Sequence, residues 1–267
     1  MEIGKTVCNS FTYAKEGLVG HWGKWIVLII LTLLPMIPIL LGVVFGIVSA
    51  MAAPEMFIPT IVIAVIFTII LALPLLGYMV RLYRGETPAP AINNWGGLFS
   101  DGLKLFVISL IYAIPVIIIG LVVLGSALWT IFLSASESLA NPGSMMGLIG
   151  AVIFGILILA IVAFIIWLIE ATAVVRFART NSIGEAFNFG EIFARIGKIG
   201  VGSYIVSLIV MAIIVGVIMV VLELIPYIGP ILSLIAGPVF LLFEGRYLCL
   251  LYDSVGEETP APVPAPA

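Results

Sequence analysis

Charge is what this chain has least of. Asp, Glu, Lys and Arg make up 9% of its 267 residues, where a soluble domain carries roughly 25%. Hydrophobic residues reach 63%, and the mean hydropathy is +1.33. No soluble core encloses so much apolar surface, so the expected solvent is lipid. Histidine is nearly missing: His21 stands alone, which excludes a multi-His zinc site or an iron facial triad. Cys8 and Cys249 are too few for a disulfide framework or a Cys-rich metal site. No metal and no cofactor are therefore expected. The only aspartates are Asp101 and Asp253, both outside the apolar runs. A Gly-rich phosphate loop, a His-Glu-x-x-His pair, a Gly-x-Ser-x-Gly elbow and an EF-hand loop are all missing. The expectation is a protein that is not an enzyme. Eleven scattered cations under a net charge of −3 also exclude nucleic acid as a partner, which needs a clustered basic face.

What is present is long apolar runs, at roughly 25–51, 56–79, 103–133, 145–175, 200–222 and 228–252. Each exceeds the ~20 residues that carry a helix across the hydrocarbon core. The runs do not alternate polar with apolar, which excludes a strand barrel. The first run is far longer than the ~7–15 residues of a secretion-signal core, and reads as a retained span. Charge then sets orientation. Lys5, Lys15 and Lys24 precede the first run, Arg81 and Arg84 follow the second, and Lys104 stands at the start of the third. Arg176, Arg179, Arg195 and Lys198 fall between the fourth and fifth, and Arg246 ends the sixth. The other three loops carry Glu55, Glu137 and Glu223 and no cation. By the positive-inside rule both termini are cytosolic, in a multi-pass protein of the cell membrane.

Prolines punctuate the spans at Pro35, Pro38, Pro59, Pro74, Pro115 and Pro238. Small residues recur four apart at Gly42, Gly46 and Ala50, at Gly147, Ala151 and Gly155, and at Ala212 and Gly216. Such stripes let helices approach closely, within the chain or between copies. Ahead of the odd-numbered spans, apolar side chains fall at helical spacing: Phe11 to Trp25, Ile92 to Phe106 and Ile183 to Ile199. Each set predicts a short amphipathic helix in the membrane interface. Trp22, Trp25, Trp95, Phe99 and Phe187 are its interfacial anchors. The even spans end alike, in "YMVRLYR", "AVVRFAR" and "FEGRYLC".

The expected fold is thus all-α, an integral membrane bundle of six transmembrane helices. They form three helical-hairpin repeats, at about 10–84, 92–179 and 183–252, each preceded by an interfacial amphipathic helix. Residues 1–252 make one six-span membrane domain. Residues 253–267, ending "GEETPAPVPAPA", make a disordered Pro/Ala-rich cytosolic tail. The junction from Gly77 to Phe106 carries the densest polar chemistry. Here Arg81 and Arg84 are expected at headgroups, Pro88 and Pro90 in a stiff turn, and Asp101 and Lys104 facing water.

That junction, with Gly77-Tyr78, Arg81, Arg84, the Pro-rich turn, Trp95-Gly96, Phe99 and Asp101-Gly102-Leu103-Lys104, resembles a polytopic membrane family, domain of unknown function 4013. Ala186-Phe187 and Ile225-Pro226-Tyr227-Ile228-Gly229 fit the same family. The resemblance runs from about Phe11 to Tyr252. It implies a prokaryotic, notably archaeal, membrane protein and carries no activity with it.

Glu170 and Glu244 are the ionisable groups inside spans, where charge is costly. Neither reaches the arginine next to it along its own helix, so their partners come from other helices. Arg81, Arg84, Arg176, Arg179 and Arg246, with Glu170 and Glu244, form the candidate headgroup- or solute-binding mouth on the cytosolic side. The same groups also read as an interhelical ion-pair network. The function expected is a membrane scaffold or lipid-interacting protein. A small-solute transporter or channel, or an accessory subunit of a larger membrane complex, are the alternatives. Membrane lipids are the expected partners. A protein in such a complex and a second copy, through the small-residue stripes, complete the partner set.

Overall fold

The computed structural model describes residues 2–138 and 142–256. Nine α-helices follow in chain order among the described residues: α1 (Ile3–Leu18), α2 (Trp22–Leu33), α3 (Met36–Ala52), α4 (Phe57–Tyr83), α5 (Trp95–Ser138), α6 (Pro142–Thr180), α7 (Phe189–Ile199), α8 (Val201–Glu223) and α9 (Gly229–Asp253). Short 3₁₀ turns at Pro54–Met56 and Ile183–Phe187 complete the set, and no strand appears among these residues. Six segments are long and apolar enough to cross a membrane: Trp22–Ala52, Pro54–Tyr83, Trp95–Ser126, Ile149–Thr180, Val201–Glu223 and Gly229–Asp253. The fold is all-helical and marks a membrane-embedded protein. The predicted tail beyond residue 256 lies outside the described residues.

Local chemistry sets the breaks. The first span divides at Leu34–Pro35 into α2 and α3; proline cannot donate and crowds the preceding turn. Pro74, Pro115 and Pro238 stay inside continuous helices. Asn188 caps α7 by accepting from the Glu191 amide at 3.4 Å, and Lys198 stands in the last turn. The Glu191 carboxylate in the first turn and the Lys198 ammonium in the last both suit the helix dipole. Gly200, at φ +90°, turns α7 sharply into α8, a conformation that a Cβ would strain.

Two of the predicted amphipathic segments are cut and one is not. Phe11 to Trp25 spans α1, a turn at Gly20 (φ +85°) and the start of α2. Ile183 to Ile199 divides into the 3₁₀ turn and α7. From Trp95 onward, however, the second segment is simply the first turns of α5. Nothing between Trp95 and Phe106 breaks the helix, because its glycines are tolerated there without left-handed backbone.

The chain falls into two compact units: Met1–Phe106 with Thr172–Ala267, and Val107–Ala171. In the first, α9 is the hub and packs on α1, α2, α4, α7 and α8. The most apolar 18 residues of its span are 44% buried against 6% for those of Pro54–Tyr83, so α9 is central, while α4 buries its C-terminal part from Leu73 to Tyr83. Tyr78, Phe177, Phe243, Tyr247, Leu98 and Leu208 are fully buried here. Burying side chains of this size stabilises by about 1.5–3 kcal/mol each. The two backbones meet most closely where α4 crosses α5. A Cβ on Gly77 would land on the Leu98 carbonyl, and one on Gly102 would land on the Leu73 carbonyl.

Val107–Ala171 is the facing run of α5 and α6. Gly155 packs on Val123, and Leu159 lies 3.7 Å from where a Gly120 Cβ would sit. In the first unit, Gly42 packs on Ala64, and Gly46 on Ile61 and Phe57. Gly42, Gly46 and Gly155 of the small-residue stripes pack inside the chain, while a Cβ on Gly147 of α6 or on Gly216 of α8 would meet open space.

Candidate functional site

All eleven Lys and Arg residues lie in the unit formed by Met1–Phe106 and Thr172–Ala267; Val107–Ala171 holds none. Two of them, Lys24 and Arg81, hold the loop from Gly85 to Asn94, which joins α4 to α5. Donors from three helices hold its carbonyls. From α1, the Tyr13 hydroxyl donates to Glu86 O at 2.8 Å. From α2, Lys24 Nζ donates to Ala89 O at 3.0 Å. From α4, Tyr78 donates to Pro90 O at 3.3 Å. Arg81, only 8% exposed, donates from Nη1 to Ala91 O and Asn93 Oδ1, each at 3.0 Å, and from Nη2 to Asn94 O at 3.2 Å. Burial pushes the Tyr13 phenol up, against the opposing pull of Arg246, so it stays protonated as a donor.

The arginines of the candidate mouth resolve into three groups. Arg81 sits in the loop clamp with Arg84 beside it. Arg84 Nη2 meets Asp101 Oδ2 at 2.7 Å, with Lys104 at 3.7 Å from the other carboxylate oxygen. Asp101 is buried rather than facing water, because Arg84 and Lys104 cover it. This pair is partly wet, so Asp101→Asn should lower stability by only about 1 kcal/mol, read as a small drop in melting temperature. Arg246 forms the second group: its guanidinium stands 5.3 Å from the Tyr13 ring centroid and 3.5 Å from Asn9 Oδ1. These residues border a cavity of about 530 Å³ with Glu16 and Pro88.

Arg176 and Arg179, at the end of α6, form the third. Arg176 binds Glu185 through Nε at 2.7 Å and through Nη2. Its Nη1 lies 3.8 Å from Glu191. Arg179 donates from Nε to Tyr83 O at 3.2 Å and from Nη2 to Asp253 at 2.7 Å. With Arg195 and Lys198 of α7 they line a cavity of about 290 Å³, closed by Glu191, Tyr252 and Asp253. Arg195 joined this group without having been singled out by the sequence. The signal was there in the Glu191, Arg195, Lys198 spacing along one face of α7.

Glu170 lies in Val107–Ala171, where it accepts from Ser109 Oγ of α5 at 2.6 Å. Glu244 lies within α9 and makes no hydrogen bond or ion pair with a described residue. The carboxylates that meet the arginines are instead Asp101, Glu185, Glu191 and Asp253. Tyr78, Tyr204 and Tyr247 sit in the core. Tyr204 and Thr172 share a 2.8 Å hydrogen bond, and Tyr247 donates to Ser207 O at 2.9 Å.

The aromatic anchors divide by exposure. Trp22 is 64% exposed and stacks on Trp25, whose Nε1 donates to Ile235 O at 2.8 Å. Trp95 and Phe99 are exposed on the first turns of α5, and Phe187 is half-buried in its 3₁₀ turn. No group of three or more His, Cys, Asp or Glu placed to hold a metal occurs among the described residues.

Searches of curated proteins and of solved structures find no match to this chain. A family model does match, described as a protein of unknown function, DUF4013, over residues 60–227. The matched stretch begins in α4, takes in the clamped loop and both Arg176 and Arg179, and ends after α8. It covers well over half of the chain, which therefore belongs to the DUF4013 family.

Proposed function

We propose that this protein is a non-enzymatic, lipid-interacting scaffold of the cell membrane, with its basic end and both termini in the cytosol. The observation that carries the reading is the segregation of charge. Every cation lies in the unit formed by Met1–Phe106 and Thr172–Ala267, which also exposes Trp22, Trp95, Phe189 and Phe193. Aromatic and basic side chains in that combination suit a headgroup layer, the aromatics for their amphipathic rings and the cations for anionic lipid. On this reading α1 and α7 lie along the interface. Supporting it, α7 buries Ile192 and Ile196 and leaves Arg195 and Lys198 on a different side. The three hairpins, α2–α3 with α4, α5 with α6, and α8 with α9, are proposed as one repeated unit. Each returning span carries arginine toward its C-terminal end: Arg81, Arg176 with Arg179, and Arg246 about two turns before the end of α9.

The test is thermal stability of the full chain in neutral detergent with added lipid. Phosphatidylglycerol at a hundredfold excess over its Kd should stabilise by about 2.7 kcal/mol. Phosphatidylcholine should do much less, and 1 M salt should erase most of the difference. Equal shifts with both lipids would refute headgroup recognition.

A further inference from the structure

We propose that the cavity between α6, α7 and the end of α9 is a binding site for a phosphoryl group, gripped chiefly by Arg195. The lipid source of that group rests on the functional reading above; the site itself does not. The cavity is small, about 290 Å³, at the low end of the ~300–1,000 Å³ of small-molecule sites. It therefore suits a compact headgroup rather than an acyl chain. Its lining sets Arg176, Arg179, Arg195 and Lys198 against Glu191 and Asp253. Four cationic side chains thus share the lining with two carboxylates, and Glu185 holds Arg176 from outside it. A lining with four basic side chains suits a phosphoryl group, which as a monoester carries about −1.5 to −2.

Geometry separates Arg195 from its neighbours. Its Nε donates to the Tyr252 carbonyl at 3.0 Å, and its guanidinium carbon lies 4.2 Å from the centroid of the Tyr252 ring. These two contacts fix the guanidinium plane. They consume neither Nη group, and no carboxylate among the described residues pairs with it. A guanidinium held this way is pre-organised for a bidentate phosphoryl contact. The others are more fully committed: Arg176 to Glu185 and Glu191, and Arg179 to Tyr83 O and Asp253. Those two supply field more than direct hydrogen bonds. Phosphate contacts of this kind follow the same logic as an arginine cluster reading a phosphorylated motif, with backbone carbonyls and an aromatic ring as the brace.

The experiment is a titration of the full chain in detergent micelles with inorganic phosphate, and separately with short-chain phosphatidic acid. Two variants accompany the wild type. Arg195→Ala removes the fork. Ala194→Glu places a carboxylate in the cavity from an exposed position of α7, where it disturbs no buried contact. Saturable binding that weakens at least tenfold in both variants is expected. Phosphatidic acid bound tenfold or more tighter than phosphate would assign the site to a headgroup; equal affinity and mutual displacement would assign it to free phosphate. No saturable binding of either probe, or unchanged affinity in Ala194→Glu, would overturn the proposal. Stabilisation by phosphatidylglycerol that survives such a failure leaves the interfacial reading standing without this pocket.

Discussion

Gly102→Ala should leave almost no correctly folded protein, and Gly77→Ala should do nearly the same. The added methyl at position 102 would land on the Leu73 carbonyl oxygen, with the carbonyl carbon 2.8 Å away and the Gly77 nitrogen 3.0 Å away. At position 77 it would land on the Leu98 carbonyl oxygen, 2.8 Å from Leu98 Cα. Both obstacles are backbone, so no rotamer change relieves them; α4 and α5 must move apart. Overpacking typically costs about 1–3 kcal/mol where side chains can yield. Here the expected cost is at the top of that range or above it, against a total stability of about 5–15 kcal/mol. Separating the helices would also strain the contact between Arg84, at the end of α4, and Asp101, next to Gly102 on α5. The measurement is the monodisperse fraction after detergent extraction, with the melting temperature of what survives. Gly216→Ala is the control: its Cβ meets open space mid-helix, and the better helix propensity of alanine should leave stability unchanged or raise it by up to ~1 kcal/mol. A Gly102→Ala protein that extracts and melts like the wild type would mean that the helices do not cross this closely.

The six spans were legible because hydropathy acts over ~20 residues and averages out local accidents. The run expected at 200–222 is α8 at Val201–Glu223, and that at 228–252 is α9 at Gly229–Asp253. Proline was less legible. Pro35 divides a span while Pro74, Pro115 and Pro238 do not. Whether a proline breaks a membrane helix depends on what neighbours re-satisfy its freed carbonyl, and composition does not carry that.

The partners of the charged groups were the least legible. Sequence spacing excludes the pairs that face apart on one helix, and it did so for Glu170 and Arg176. It cannot supply the partners brought in by folding. Asp253 reaches Arg179 from 74 positions away. Arg195 finds a carbonyl 57 positions away. Carbonyls leave no mark in the residue alphabet, so a side chain satisfied by them looks unsatisfied in the sequence. Arg81 is the clearest instance. Its place at the end of a span, beside aromatics, suggested a headgroup anchor. In the structure its donors go inward to the loop.

Arg81→Ala should therefore unfasten the α4–α5 loop rather than weaken a surface contact. The guanidinium is buried and makes three hydrogen bonds, two of them to main-chain carbonyls at Ala91 and Asn94. Bonds from a charged donor contribute about 1.5–3 kcal/mol each, and carbonyls left buried without a donor carry a further penalty. The bonds share one side chain, so they do not add; a loss on the order of 3 kcal/mol is expected. Arg81→Lys should recover little, because a single ammonium cannot span Ala91 O, Asn93 Oδ1 and Asn94 O as the planar fork does. The local readout is limited proteolysis. The wild-type loop is held by Tyr13, Lys24 and Tyr78 as well as Arg81, so it should resist cleavage. The variant should be cut between Gly85 and Asn94 at protease levels that leave the wild type whole. A protection pattern unchanged in Arg81→Ala would show that the other three donors suffice. Arg81 would then be free to serve the headgroup layer, as its position in the sequence first suggested.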